Sequence, residues 1–192
     1  MKKLAISVAL CTLLGSSLTS HASLTASTDG KTIYDSDLKI TWLADANYSQ
    51  TSRYHSSGNM NWDDAANNWA ANLTFGDNSN WRLPTVNEMK ELRHDLGGTT
   101  GSLASDHNSN YNLFSNLPHA FSSYATFWTS TIDPSDTTKA TAYQLNSDAS
   151  ILAAVDTGLR AMAVSPIPEP ETYAMLFAGL GLLGWRLRNA KS

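Results

Sequence analysis

The chain predicts an α+β domain, and three observations carry that assignment. Short stretches that alternate apolar and polar residues come first, two segments with helical spacing follow, and alternating stretches return at the end. The connections between them are long and rich in Gly, Ser and Asn. The pattern implies a small antiparallel sheet with two helices and long loops.

Taken in order, Thr32-Ile33-Tyr34-Asp35 and Leu38 to Leu43 read as two short strands around an Asp-Ser-Asp turn. Residues 45 to 60 read as a polar loop. Asn61 is placed to cap a helix, with Asp63 and Asp64 in the first turn, where the helix dipole favours anions. Trp62, Ala65, Ala66, Trp69 and Leu73 share one face of that helix. Gly76 to Asn80 is a turn cluster.

The second helix begins after Trp81-Arg82-Leu83-Pro84. Thr85 and Glu88 have capping-box spacing, so each side chain can satisfy a backbone donor at the helix start. Val86, Met89, Leu92 and Leu96 form its apolar face, and Gly97-Gly98 stops it. Residues 98 to 124 form a long polar loop with a short turn at 112 to 117. Tyr124 to Thr131 is a strand, 142 to 146 and 151 to 155 make a hairpin across Ser147-Asp148, and Leu159 to Val164 is the last strand.

The two ends differ from the middle. Residues 1 to 22 have the layout of a secretory signal: Lys2 and Lys3, the apolar run Leu4 to Leu14, and a Ser20-His21-Ala22 cleavage site. Cys11 follows Leu10 rather than a small residue, which argues against lipidation. The other end, 166 to 192, carries Pro166, Pro168 and Pro170, then an uncharged run from Tyr173 to Trp185, then Arg186, Arg188 and Lys191. As a helix the run 173 to 185 is about 20 Å long, short of a hydrocarbon core of roughly 30 Å. Trp185 at the interface and snorkelling arginines narrow that gap, and the cations favour the cytoplasmic side.

Between these ends, from 23 to 165, lies one domain, large enough for a sizeable core. From residue 23 to 167 eight Lys and Arg face fifteen Asp and Glu, a net charge near −7. With no basic stripe, nucleic acid is not an expected partner. Cys11 leaves with the signal, so the mature domain has no disulfide, no thiol nucleophile and no Cys-based metal site.

Two resemblances follow from these residues. Pro168-Glu169-Pro170, the Thr-Tyr-Ala start of the apolar run, its Gly-Leu-Gly-Leu-Leu-Gly stretch and the basic end resemble the PEP-CTERM sorting signal of Gram-negative bacteria. That resemblance implies recognition by an exosortase, a membrane-embedded Cys transpeptidase, and a place in an extracellular polysaccharide matrix. Tyr34-Asp35, Ile40 to Leu43, Asn61-Trp62-Asp63-Asp64-Ala65, Trp81-Arg82-Leu83-Pro84-Thr85 with Glu88, Phe127 to Thr131 and Leu159 to Val164 resemble the Lcl C-terminal domain family over about residues 31 to 165. The centre of this pattern is also similar to the C-type lectin-like fold of formylglycine-generating enzymes, which implies a lectin-like domain. Many members carry a Cys in the last strand, where this chain has Ala161 or Met162. The copper-binding cysteines of the oxidase are absent from the mature chain, so the resemblance implies scaffold rather than oxidase chemistry.

Trp62, Trp81, Arg82, Pro84, Thr85, Glu88 and Trp128 read as structural: Trp81 and Leu83 buried, Arg82 paired with a carboxylate, Thr85 capping. Asp106, Asn108 and Asn110 place oxygens at alternate positions, as the first half of a calcium loop does. Tyr111 and Leu117 stand where an EF-hand needs Gly and an acid, which leaves an irregular Ca²⁺ loop as the one cofactor candidate. His55, His94, His107 and His119 form no metal-ligand spacing, no G-x-S-x-G occurs, and Asp63-Asp64 point to different sides of a helix. No catalytic residue is therefore expected.

Tyr48, Tyr54, Tyr111 and Tyr124 lie among Asn, Ser and Asp on polar loops, a composition suited to stacking on sugar faces. The expectation is a secreted or surface matrix protein, sorted by an exosortase and held in the membrane through its C-terminal helix before processing. It would bind exopolysaccharide or matrix proteins without catalysis. The alternatives are a secreted enzyme acting on exopolysaccharide and a purely structural, oligomeric matrix component.

Overall fold

The computed structural model describes residues 24–76, 78–98, 102–103, 105–118, 125–167 and 180. The expected signal at 1–22 and the sorting segment from Pro168 onward, Leu180 apart, lie outside them. Among the described residues no helix is long and apolar enough to cross a membrane.

The α+β reading holds, but the single small sheet becomes two antiparallel sheets. The first has four strands: β1 (Leu24–Ala26), β2 (Thr32–Asp35), β3 (Ile40–Leu43) and β7 (Val164–Pro166), in the order β1-β2-β3-β7. β2 and β3 match the two alternating stretches, with Ile33 opposite Trp42 and Asp35 opposite Ile40. β1 has no alternating pattern of its own. It is held by pairing, Leu24 to Asp35 and Ala26 to Ile33.

The second sheet holds β4 (Thr126–Ile132), β5 (Lys139–Gln144) and β6 (Ala149–Ala154) in chain order. Phe127, Tyr143 and Ser150 share one face by register, and Trp128, Ala142 and Ile151 share the other. Phe127 and Tyr143 enter a core with Trp42, Met89, Leu92, Leu96 and Tyr111. Trp128 and Ala142 enter a second core with Trp69, Trp81, Leu83 and Ala161. The central sheet thus has an apolar layer on both sides, which accounts for the near-continuous burial of Thr126 to Thr129.

The expected strand at 159 to 164 is mostly a connecting rail. Leu159 bridges Met60, Arg160 bridges Phe127, Ala163 C=O accepts the Leu43 N–H at 3.1 Å, and only Val164–Pro166 forms a strand. Serving both sheets in turn, this segment cannot stay in register with either.

Among the helices, α2 (Val86–Asp95) has its predicted cap. Thr85 Oγ1 accepts the Glu88 N–H at 3.2 Å, and Glu88 Oε2 accepts the Thr85 N–H at 2.7 Å. The first helix also starts where expected, with Asn61 Oδ1 accepting the Asp64 N–H at 2.8 Å. Its body, Asp64–Ala70, is a π-helix rather than an α-helix. The wider turn still brings Ala65, Trp69 and Ala70 to the core. The polar loop at 45 to 60 contains one helical turn, α1 (Tyr48–Thr51), and the turn expected at 112 to 117 in the long loop lies earlier, as a 3₁₀ turn at Ser109–Leu113.

Candidate functional site: an open cleft beside Tyr48

Four of the five domain tryptophans use their indole N–H to link neighbouring segments. Trp128 donates to Met60 C=O at 2.8 Å, Trp62 to Thr129 C=O at 2.8 Å, Trp81 to Asn78 C=O at 3.1 Å and Trp42 to Asp35 Oδ2 at 3.3 Å. Each of these buried or part-buried indole N–H groups thereby has a hydrogen-bond partner. Arg82 has its expected carboxylate: Nη1 and Nη2 fork onto Glu88 Oε2 and Oε1 at 2.8 and 2.6 Å. Burial would raise the Glu88 carboxyl, but hydrogen bonds from Arg82 and from Thr85 hold it below its ordinary value. Pro84 C=O accepts the Ser130 N–H at 2.9 Å, linking the helix start to β4. The whole Trp81–Glu88 segment is thus engaged in holding the fold.

An open cleft of about 360 Å³ lies where the β1–β2 turn, the end of β3, α1 and the long loop meet. Leu43, Ala44, Tyr48 and Phe75 line it with apolar groups, and Lys31, Asp45 and Ser115 bring polar groups. Tyr48 meets Phe75 edge to face with centroids 5.1 Å apart, and Phe75 meets Trp81 in the same way at 6.2 Å. Asp45 Oδ1 accepts the Asn47 N–H at 2.9 Å and the Asn116 side-chain amide at 2.8 Å. Ser115 is zipped to the strand end, donating its N–H to Ala44 C=O and accepting from Ala46 N–H at 2.8 and 2.9 Å. Asp45 and Ser115 are therefore held in place by these bonds.

Of the three candidate aromatics among the described residues, Tyr48 alone lines this cleft. Tyr54 is 45 % exposed and donates its hydroxyl to Asp64 at 2.9 Å. Tyr111 corrects the expectation: it is 2 % exposed, stacks on His107 with centroids 4.4 Å apart, and belongs to the core. A small domain with long loops covers its core with loop rings, and the 3₁₀ turn points this one inward. Tyr124 lies outside the described residues, as does His119.

The alternating oxygens of the long loop are also put to another use. Asn108 and Asn110 both donate side-chain amides to Asp95 C=O at 2.9 Å, and Asn108 Oδ1 accepts the Asn110 N–H at 2.8 Å. These groups cap the C-terminus of α2 and the start of the 3₁₀ turn, while Asp106 is exposed. No group of three or more His, Cys, Asp or Glu capable of holding a metal occurs among the described residues.

Phe75, Asp45, Lys31 and Ser115 escaped the sequence reading. Their meeting is tertiary, and the one local signal was the turn cluster starting at Gly76, which swings Phe75 back through its pairing with Asn78.

Two antiparallel sheets with a few helices, and an open cleft beside the first sheet, define a small α+β domain. The chain belongs to the Lcl C-terminal domain family, whose model matches residues 31–165. The PEP-CTERM protein-sorting motif matches residues 166–190. None of the curated proteins compared matches the chain. The sorting motif marks the chain for export to the surface or the medium, with processing by an exosortase.

Proposed function

We propose that this is a matrix protein of a Gram-negative surface whose single domain, lectin-like in fold, binds glycans or matrix partners without catalysis. The carrying observation is the cleft in which Tyr48 and Phe75 stand beside Asp45 and Lys31. The aromatic rings offer an apolar face to the C–H side of a sugar ring, and the Asp45 carboxylate, Lys31 amine and Ser115 hydroxyl offer hydrogen bonds to its hydroxyls. The reading needs neither a cofactor nor a catalytic acid–base pair. Before processing, the apolar run 173 to 185 would hold the chain transiently at the membrane.

The test is a glycan array probed with the exported protein, followed by titration of the host exopolysaccharide by calorimetry. Saturable binding that competes with a monosaccharide component supports the proposal. No binding on the array together with no heat on the host polymer would sink it, and release of reducing sugar would replace it with the enzymatic reading.

A further inference from the structure

β6 closes one side of the three-stranded sheet, and nothing in the described structure covers its outer rim. Ala149 to Ala154 pair one for one with Gln144 to Lys139 of β5, with no bulge along the ladder. In an antiparallel ladder every second residue turns its N–H and C=O away from its partner. From Ala149 to Ala153 none of those groups meets another residue among those described; only Ala154 C=O is taken, by the Thr157 N–H at 2.9 Å. The rims of the other sheet are short, β1 and β7 having three residues each, and Val164 of β7 is already bridged to Arg82.

Natural edge strands are usually blunted by lysine, proline, a bulge or brevity. β6 has none of these: its sequence is Ala-Ser-Ile-Leu-Ala-Ala. Leu152 stands 56 % exposed on it, the most exposed of the large apolar side chains described. A regular, uncharged, unguarded rim is a template for one more strand.

We infer that β6 is a self-association edge, through which two copies of this chain pair antiparallel into one six-stranded sheet. Charge selects the partner. The domain is acidic, near −7, so a second copy is repelled except where charge is missing. Residues 149 to 154 carry no charge, and neighbouring Asp148 is engaged by the Tyr143 hydroxyl at 2.7 Å and lies 4.0 Å from Arg93. A basic partner would find nothing on this rim to choose it.

Pairing a strand with itself about a two-fold axis is isologous, so each copy supplies the same rim to the other. Residue parity keeps like faces together, and Leu152 of each copy then gains apolar cover from the other's Ser150, Leu152 or Ala154. A two-strand contact is at the small end of stable interfaces, so the dimer depends on concentration. Display on a crowded surface supplies that concentration. This inference is independent of the cleft and stands or falls without it.

The test uses the full chain with Cys11→Ser, which removes its sole cysteine, and Ser150→Cys, exported in a Gram-negative host and treated with a short thiol cross-linker. A dimer of this chain is expected, and Tyr54→Cys in the same background should remain monomeric. Adding Leu152→Lys, or in a separate strain Ala154→Lys, both at exposed positions, should cut cross-linking roughly tenfold while leaving the melting temperature unchanged. Equal cross-linking at positions 54 and 150, no dimer at any expression level, capture mainly of a different protein, or a dimer that survives both lysines would each overturn the inference.

Discussion

Arg82 and Glu88 form a two-pronged ion pair at the start of α2, with contacts of 2.8 and 2.6 Å, and the same carboxylate closes the capping box on Thr85. One side chain thus performs two structural tasks. Glu88→Gln should lower stability by about 1–2 kcal/mol, a figure discounted because the Arg82 side chain is 39 % exposed. Thr85→Ala should cost about 1 kcal/mol. Because both changes open the same box, the double variant should cost less than the two costs added, and denaturant unfolding of the four proteins reads this directly. Strict additivity would mean that the cap and the ion pair act separately.

Asp95 supplies a pH prediction. Burial, and next the nearby Asp35, push its carboxyl up to about 6, with Asp37 and Glu91 adding repulsion and His94 opposing them. Its Oδ2 has no hydrogen-bond partner among the described residues. The folded value lies above the unfolded value near 4, so the folded state holds the proton more tightly. The resulting stability is present below pH 4 and is lost as pH rises through 6. Lowering pH from 7 to 5 should therefore raise Tm, and Asp95→Asn should flatten that slope and raise Tm at pH 7, the change being on the order of 1–3 kcal/mol. A slope that persists in Asp95→Asn would assign it to another group.

The cleft predicts a separation of binding from folding. Lys31 is exposed, its amine 3.7 Å from Asp29, so Lys31→Ala should leave Tm within about 1 °C. If the cleft holds a glycan, the same change should weaken binding several-fold, whereas Tyr54→Phe, away from the cleft, should not. Tyr48→Ala removes the ring against Phe75 and should lower both Tm and affinity. Calorimetric titration beside thermal melts makes the comparison, and full affinity in Lys31→Ala would move the ligand elsewhere.

Much of this fold was legible because its signals were local. Thr85 and Glu88 lie three residues apart, and their reciprocal bonds follow from that spacing. The turn between β5 and β6 is marked by Ser147 and Asp148, the latter at a φ of 56°. What was not legible depends on distant partners. β1 exists because Leu24 finds Asp35, and the π form of Asp64–Ala70 answers to packing rather than to its sequence period. Tyr111 and Tyr54 both sit in polar loops, yet their fold neighbours make one ring core and leave the other exposed. The cleft assembles Lys31, Asp45, Phe75 and Ser115 from four separate segments, which no spacing rule joins.

Gly58 provides the sharpest steric test. It has a φ of 75°, in the left-handed region, and a Cβ there would collide with Asn47 Oδ1. Asn47 is 4 % exposed and stands at the start of α1, and Ser49 Oγ donates to Gly58 C=O at 3.2 Å, so neither partner has room to retreat. Gly30 has a similar φ of 66° but open space where its Cβ would be. Gly30→Ala should therefore report backbone strain alone, about 1 kcal/mol. Gly58→Ala should add overpacking of roughly 1–3 kcal/mol and lower Tm by several degrees more. Because the displaced residue leads into Tyr48, Gly58→Ala should also loosen the cleft. Equal melting temperatures for the two variants would show that Asn47 can move aside, and the loop would then be softer than its packing indicates.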